Sequence, residues 1–154
     1  MPDIFISYSH HDEQLSTFLY HHLKQEKLNV FLAPISIKPG ERWGQEILNN
    51  LKNSSWIIFL ASKNACVSPY VQQELGAALI TNKKIVPIVW DMDPNELPGW
   101  INQFQAMDLR FVKTIDEVKE KISSIAQEIK ANKQKGELIV GLAIAGLIFL
   151  AMKE

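Results

Sequence analysis

Short apolar runs that alternate with helix-like stripes along the whole chain constrain its fold more than any other feature. Asp3-Ile4-Phe5-Ile6-Ser7, Leu28 to Leu32, Ser55 to Ala61, Ile85 to Trp90 and the weaker Gln105 to Leu109 are too short for helices and read as strands. Near-continuous apolarity, strongest in Ser55 to Ala61, marks strands buried on both faces. Helical spacing appears between and after them. Leu15, Phe18, Leu19, His22 and Leu23 follow the first strand; Trp43, Ile47, Leu48 and Leu51 precede the third. Val71, Leu75, Ala78 and Leu79 form a stripe in a helix predicted from Ser68 to about Asn82. A last helix begins at the capping box Thr114-Ile115-Asp116-Glu117 and carries Ile115, Val118, Ile122, Ile125 and Ile129. Alternation of this kind predicts an α/β fold with a parallel sheet covered by helices on both faces, because right-handed crossovers leave few other arrangements.

The expected architecture is flavodoxin-like, with five parallel strands in the order 2-1-3-4-5. In that order ligands bind where the order reverses, beside the carboxyl ends of strands one and three. The loops there are residues 7 to 12 and 62 to 68. Out of the second loop comes Ser68-Pro69-Tyr70-Val71-Gln72-Gln73-Glu74, a sharply placed helix start: Ser68 suits the N-cap, and Pro69 suits the first helical position, where its missing N–H is not needed. Tyr70 and Glu74 then lie four residues apart on one face. Pro87 inside the fourth strand removes a ladder donor, which predicts a bulge or an N–H that is unpaired anyway.

Several familiar α/β chemistries are set aside, while a Ser-His or Cys-His nucleophile stays open. There is no Gly-x-Gly-x-x-Gly after the first strand and no Gly-Lys-Ser/Thr loop, so neither dinucleotide fingerprint nor P-loop is present. A phospho-receiver needs acids where this chain has Ser7-Tyr8-Ser9-His10 and Ala61-Ser62. No Gly-x-Ser-x-Gly elbow appears, and the pairs His10-His11 and His21-His22 lack metal spacing, so no metal site is expected. A net charge of −1 and a pI near 6.4 argue against nucleic acid as a partner. The single cysteine, Cys66, and an N-terminus that enters a strand at once lead to the expectation of a cytoplasmic protein.

Four segments together carry a family resemblance: Asp3-Ile4-Phe5-Ile6-Ser7-Tyr8, Lys38-Pro39-Gly40-Glu41-Arg42-Trp43, Ser68-x-Tyr70-Val71-x-x-Glu74-Leu75-Gly76 and Lys84-Ile85-Val86-Pro87-Ile88. In that order, on those elements, the chain resembles a Toll/interleukin-1 receptor (TIR) domain of bacterial type over about residues 2 to 130. The resemblance implies the same flavodoxin-like fold and an NAD-cleaving activity, with NAD as substrate and no separate cofactor, in bacterial antiphage or stress signalling. Glu74 matches the family's catalytic glutamate. Tyr70 stands where the family usually has tryptophan, Trp43 matches an aromatic packed near the substrate, and Ser7, Tyr8, Ser9 and Ser68 match positions bordering it. Residues 33 to 42 match the loop through which such domains self-associate. Ala33 departs from an aspartate frequent in relatives, which bears on the product. One carboxylate is chemically sufficient: the leaving group is already a pyridinium, so departure needs no general acid, unlike an ordinary glycoside. The alternatives are a non-catalytic adaptor that works through homotypic association, and a transferase acting on nucleosides.

The expected domain organisation is a TIR domain over 1–130, a linker over 131–137 and a hydrophobic helix over 138–152. Leu138 to Met152 has no charged residue and no polar face, so it must bury itself in lipid or protein. At roughly 22 Å it is short against a hydrocarbon core of about 30 Å. Lysines 130, 133 and 135 on its amino side favour a cytoplasmic start, and Gly141 with Ala145 gives a small-residue pair for helix packing, so the tail is expected as a membrane anchor or an assembly element.

Overall fold

A computed structural model describes residues 2–32, 45–81, 83–99 and 101–153; the side chains of residues 45, 46, 70, 80 and 135–153 lie outside the description. The strands are β1 (Ile4–Ser7), β2 (Val30–Leu32), β3 (Trp56–Leu60), β4 (Lys84–Val89) and β5 (Met107–Asp108). They form one sheet in the order β2-β1-β3-β4-β5 with every pairing parallel, as the alternation predicted. The helices are α1 (Glu13–Gln25), α2 (Gln45–Asn53), α3 (Lys63–Cys66), α4 (Pro69–Ile80) and α5 (Ile115–Lys153).

Strand alternation splits the core into two layers. Phe5, Ile57, Phe59, Ile85 and Val89 turn toward Ile47 and Leu51 of α2 and Val71, Leu75 and Ala78 of α4. Ile4, Ile6, Trp56, Ile58, Leu60 and Ile88 turn the other way, toward Leu19 and Leu23 of α1 and Ile122, Ile125, Ala126 and Ile129 of α5. Polar contacts tie α1 to α5. The Ser123 hydroxyl donates to Glu26 at 3.0 Å and lies 3.0 Å from His22 Nε2, while Lys130 Nζ reaches Glu26 at 3.2 Å. His22 therefore occupies its place on the apolar stripe as a hydrogen-bonded group.

Several boundaries differ from the sequence expectation, each for a local reason. β2 begins at Val30 because Lys27 takes a left-handed conformation (φ 65°) and the Leu28 N–H folds back onto the Leu23 carbonyl, ending α1. The loop expected over 62–68 contains α3, capped by the Ser62 hydroxyl, which accepts from the Ala65 N–H at 3.0 Å. Ser68 has the extended backbone of an N-cap but its side chain makes no capping bond; its carbonyl accepts the first α4 bond from Gln72 N–H at 3.0 Å. Glu117 N–H reaches the Thr114 hydroxyl as the capping box predicts, but the Glu117 carboxylate answers one residue further back, at Lys113 N–H. Ile115, the first residue of the α5 stripe, is 67% exposed at the rim. α5 continues without a break through 131–137, the stretch expected as a linker. The expected association loop 33–42 and Trp43 lie outside the described residues.

Pro87 sits in β4 opposite Phe59 without a bulge in the β3 ladder. The Ile88 carbonyl accepts from the Ala61 N–H just past β3, so the alternate residue Pro87 turns its missing N–H toward β5. Pairing on that side starts only at Ile88 with Met107. β5 is accordingly two residues long, not the five of Gln105 to Leu109.

The left-handed Lys27 carries the usual cost of such a conformation for a residue with a Cβ, about 1 kcal/mol. Lys27→Gly is expected to raise the urea midpoint by a gain of up to about 1 kcal/mol, with the m-value unchanged. A loss of stability would show that the lysine side chain contributes more than its backbone costs.

Candidate active site

β1 ends at the reversal point of the sheet, flanked by β2 on one side and β3 on the other. Ser7, two residues after Phe5, shares the face of β1 that looks at α4. From α4, Glu74 falls on the same inward stripe as Val71, Leu75 and Ala78. The two meet: Ser7 Oγ donates to Glu74 Oε2 at 2.6 Å, with Ser7 wholly buried and Glu74 only 6% exposed. Buried against the sheet, the carboxyl loses its hydration, and burial pushes its pKa up to about 7, against which the Ser7 hydroxyl pulls down. Glu74 thus holds a proton equilibrium near neutrality inside the core.

The other expected site residues divide. Tyr8 is half-buried against both core layers, and burial first, then the charge of Glu13, pushes its phenol up to about 12. Ser9 is buried too, but its hydroxyl is engaged locally, accepting from His11 N–H at 3.4 Å across the 3-10 turn His10–Asp12. Ser68 lies at the α4 entrance, partly exposed. The Tyr70 side chain and all of Trp43 lie outside the described residues.

Sequence reasoning missed a polar brace beside this pair. Ser62 Oγ donates to Asp12 Oδ2 at 2.5 Å while accepting from Ala65 N–H, and the Asp91 carboxylate, just beyond β4, accepts from Lys63 N–H at 3.2 Å. Three strand ends thereby converge on α3. Burial raises the Asp12 carboxyl and the neighbouring charge of Asp91 adds to that, opposed by the Ser62 bond. Cys66 is buried, and burial followed by Asp91 pushes its thiol up to about 11, which makes it an inert core group. Ser62 followed three residues later by a buried alanine was a readable N-cap signal; its link to Asp12, fifty residues away, was not.

A doubly wound parallel sheet in this order, with a buried carboxyl at its reversal point, defines a flavodoxin-like domain. The profile of the TIR domain family matches residues 4–123, and the chain belongs to that family. Among curated proteins, a probable 2′ cyclic ADP-D-ribose synthase of Brachypodium distachyon, BdTIR, is 29% identical over 97 residues, 62% of this chain and 43% of that protein. The chain therefore matches less than half the length of this relative. Among solved structures, the TIR domain of the Toll-related receptor TRR-2 of Hydra magnipapillata aligns with a TM-score of 0.67 at 19% identity, covering 84% of this chain and 99% of that one. The TIR domains of the activated Roq1 resistosome align at 0.68 and 20% identity, with the same coverages of 84% and 99%. A TIR-STING receptor from C. gigas aligns at 0.61 and 18% identity, covering 80% of this chain and 40% of that one. These structural likenesses establish the fold.

The raised pKa of Glu74 has a stability consequence with a definite sign. Between about 4.5 and about 7 the folded chain binds this proton more tightly than the unfolded chain, so the contribution is full below about 4.5 and is lost as pH rises through about 7. Glu74→Gln, which keeps the shape without the charge, is expected to be more stable than wild type above pH 7, by on the order of 2–3 kcal/mol. The difference should shrink to nothing at pH 4 in thermal unfolding followed over that range. A pH-independent difference would contradict the burial of an ionisable carboxyl.

Proposed function

We propose that this chain cleaves NAD, with Glu74 as the catalytic carboxylate. The observation that carries the reading is the buried Ser7–Glu74 bond at the reversal point of the sheet, in a chain of the TIR family whose match to a 2′ cyclic ADP-D-ribose synthase is 29% identical.

The chemistry follows from the charge balance of the substrate. The bond between ribose C1′ and the pyridinium nitrogen breaks, its electron pair stays on nitrogen, and nicotinamide leaves neutral. Positive charge then spreads over C1′ and the ring oxygen. An ionised Glu74 stabilises that charge and accepts hydrogen bonds from the ribose hydroxyls, in a site dry enough for the interaction to count. Water adding at C1′ and releasing a proton gives ADP-ribose; attack by a hydroxyl or adenine nitrogen of the same molecule gives a cyclic ADP-ribose isomer. Ser7 is the partner that substrate displaces or shares. Tyr8, Ser9 and Ser68 border the ribose and phosphates in this reading, and Tyr70 and Trp43 offer ring faces to the flat bases. Self-association through 33–42 activates the domain, in a bacterial defence or stress setting.

Only the ionised carboxylate stabilises positive charge, so turnover should rise with pH through about 7. Nicotinamide release from NAD is the measurement. Glu74→Gln is expected to lower kcat by about 10²–10³, and Ser7→Ala, which removes the bond that holds the pKa down, to move the midpoint of the pH profile upward. Cleavage persisting in Glu74→Gln would remove Glu74 from the mechanism. An assembled wild type that never releases nicotinamide, while Trp43→Ala abolishes association, would make the domain an adaptor.

The stretch 138–152 serves in this proposal as an assembly or membrane-contact element. Among the described residues no helix is long and apolar enough to cross a membrane. Flotation with anionic liposomes separates the two roles. The full chain floating while a truncation after Lys135 does not would assign the stretch to a membrane surface; equal behaviour, with loss of self-association on truncation, would assign it to assembly.

A further inference from the structure

Two hydrogen bonds join the same two stretches of chain. The inner one runs from Ser7 to Glu74 at 2.6 Å, the outer one from Ser62 to Asp12 at 2.5 Å. Both link the segment that leaves β1, Ser7 to Asp12, with the segment that leaves β3, Ser62 to Glu74. The first segment is held by its own backbone. Asp12 N–H bonds to the Ser9 carbonyl at 2.8 Å and closes the 3-10 turn His10–Asp12, which keeps Asp12 and Ser7 on one short, turned piece of chain.

On the second segment hydrogen bonds run without a break from Ser62 to α4. The Ser62 hydroxyl accepts from Ala65 N–H at 3.0 Å and its carbonyl from Cys66 N–H at 3.0 Å. The Ala65 carbonyl accepts from Ser68 N–H at 3.1 Å, and the Ser68 carbonyl from Gln72 N–H at 3.0 Å. Ala65 and Cys66 also pack in the core layer that holds Val71 and Leu75. A displacement of Ser62 is therefore passed to the turn that carries Glu74. Asp91 is exposed and bonds outside this chain of contacts, to the Lys63 N–H.

We propose that Asp12 is a positioning residue for Glu74: through Ser62 it holds the segment after β3 against the segment after β1, so that Glu74 stays on Ser7 and out of water. The coupling is mechanical. Burial, opposed by the Ser7 bond, sets the raised pKa of Glu74, and neither the Asp12 nor the Asp91 charge is among its causes. Tyr8, the titratable neighbour on the β1 side, has its phenol pushed up to about 12 and stays neutral over the range in question. Without the outer bond the two segments part and water reaches the carboxyl, so the pKa of Glu74 falls from about 7 toward its ordinary value of 4.5. The kinetic consequence rests on the reading of Glu74 as the catalytic carboxylate; the change in its proton equilibrium does not.

The equilibrium is read in the free protein. Thermal unfolding between about pH 4 and about pH 9 compares each background with and without Glu74→Gln, so that the titration of Asp12 itself cancels within a background. In the wild-type background the difference levels off near pH 7. In Asp12→Ala and in Ser62→Ala it is expected to level off about one pH unit lower or more, at a smaller plateau. The two variants break the bond from opposite sides, and Asp12→Ala leaves the α3 cap in place. Asp12→Asn, whose amide oxygen still accepts from the Ser62 hydroxyl, is expected to keep the wild-type midpoint. Ser123→Ala, which cuts the contact between α1 and α5, controls for lost stability: its Tm falls and the midpoint stays. Nicotinamide release is expected to lose about tenfold in kcat in both alanine variants, with KM within about twofold, and to recover in Asp12→Asn. An unmoved midpoint in both alanine variants would overturn the positioning role. Asp12→Asn shifted as far as Asp12→Ala would overturn the hydrogen bond as its means. A wild type that releases no nicotinamide, with the midpoint moved as expected, would refute the NAD-cleaving reading and uphold the positioning.

Discussion

The hydrogen bond from Ser7 to Glu74 joins the two halves of the fold at the point where the sheet changes direction. Ser7 is held by its place in β1, paired with Phe59 on β3, and Glu74 by the packing of α4 through Val71, Leu75 and Ala78. A carboxyl at 6% exposure is costly to ionise, and in a core without a catalytic use an apolar side chain would pack there more stably. The cost appears as a pKa near 7, which leaves Glu74 able to switch between neutral and charged at the pH where a reaction would run. Tyr8 and Asp12, on the same segment after β1, are also shifted up by burial.

Most of the architecture was legible because it rests on local periodicity. The runs around Ile4–Ser7 and Trp56–Leu60 had the near-continuous apolarity of strands covered on both faces, and both are fully buried. Glu74 was legible as an acid on a well-placed helix start. Its burial was not, because α4 is apolar on most of its circumference and periodicity alone does not say which residue of a wide stripe meets a strand end. The Asp12–Ser62 and Asp91–Lys63 contacts were invisible for a different reason: they join residues 50 and 28 positions apart, and only the strand order brings them together. Ser68 shows the opposite error, a good capping residue type whose side chain is not used as a cap.

Pro87 illustrates how one local rule can shape distant structure. Its ring is tolerated because the lost donor faces the outer side of β4, yet that same loss prevents β5 from extending backward past Met107. Lys83, just before β4, turns its ammonium to the Lys52 carbonyl at the end of α2, and Lys84 lays its own over the Trp56 ring.

The placement of Glu74 finally depends on α3, a helix of four residues with little stability of its own. Its start is tied through Ser62 to Asp12 at the head of α1 and through Lys63 to Asp91 just beyond β4, so neighbouring segments at the strand ends jointly position it. From its end the chain has only Val67 and Ser68 before Pro69 opens α4, and Gln72 Nε2 bonds back to the Cys66 carbonyl at 3.2 Å. The register of α4 against the sheet is therefore inherited from this brace. A shift of one residue at α3 would rotate α4 by about 100° and turn Glu74 off Ser7. The polar contacts that sequence periodicity could not reveal are thus the ones that set where Glu74 meets Ser7 within a common fold.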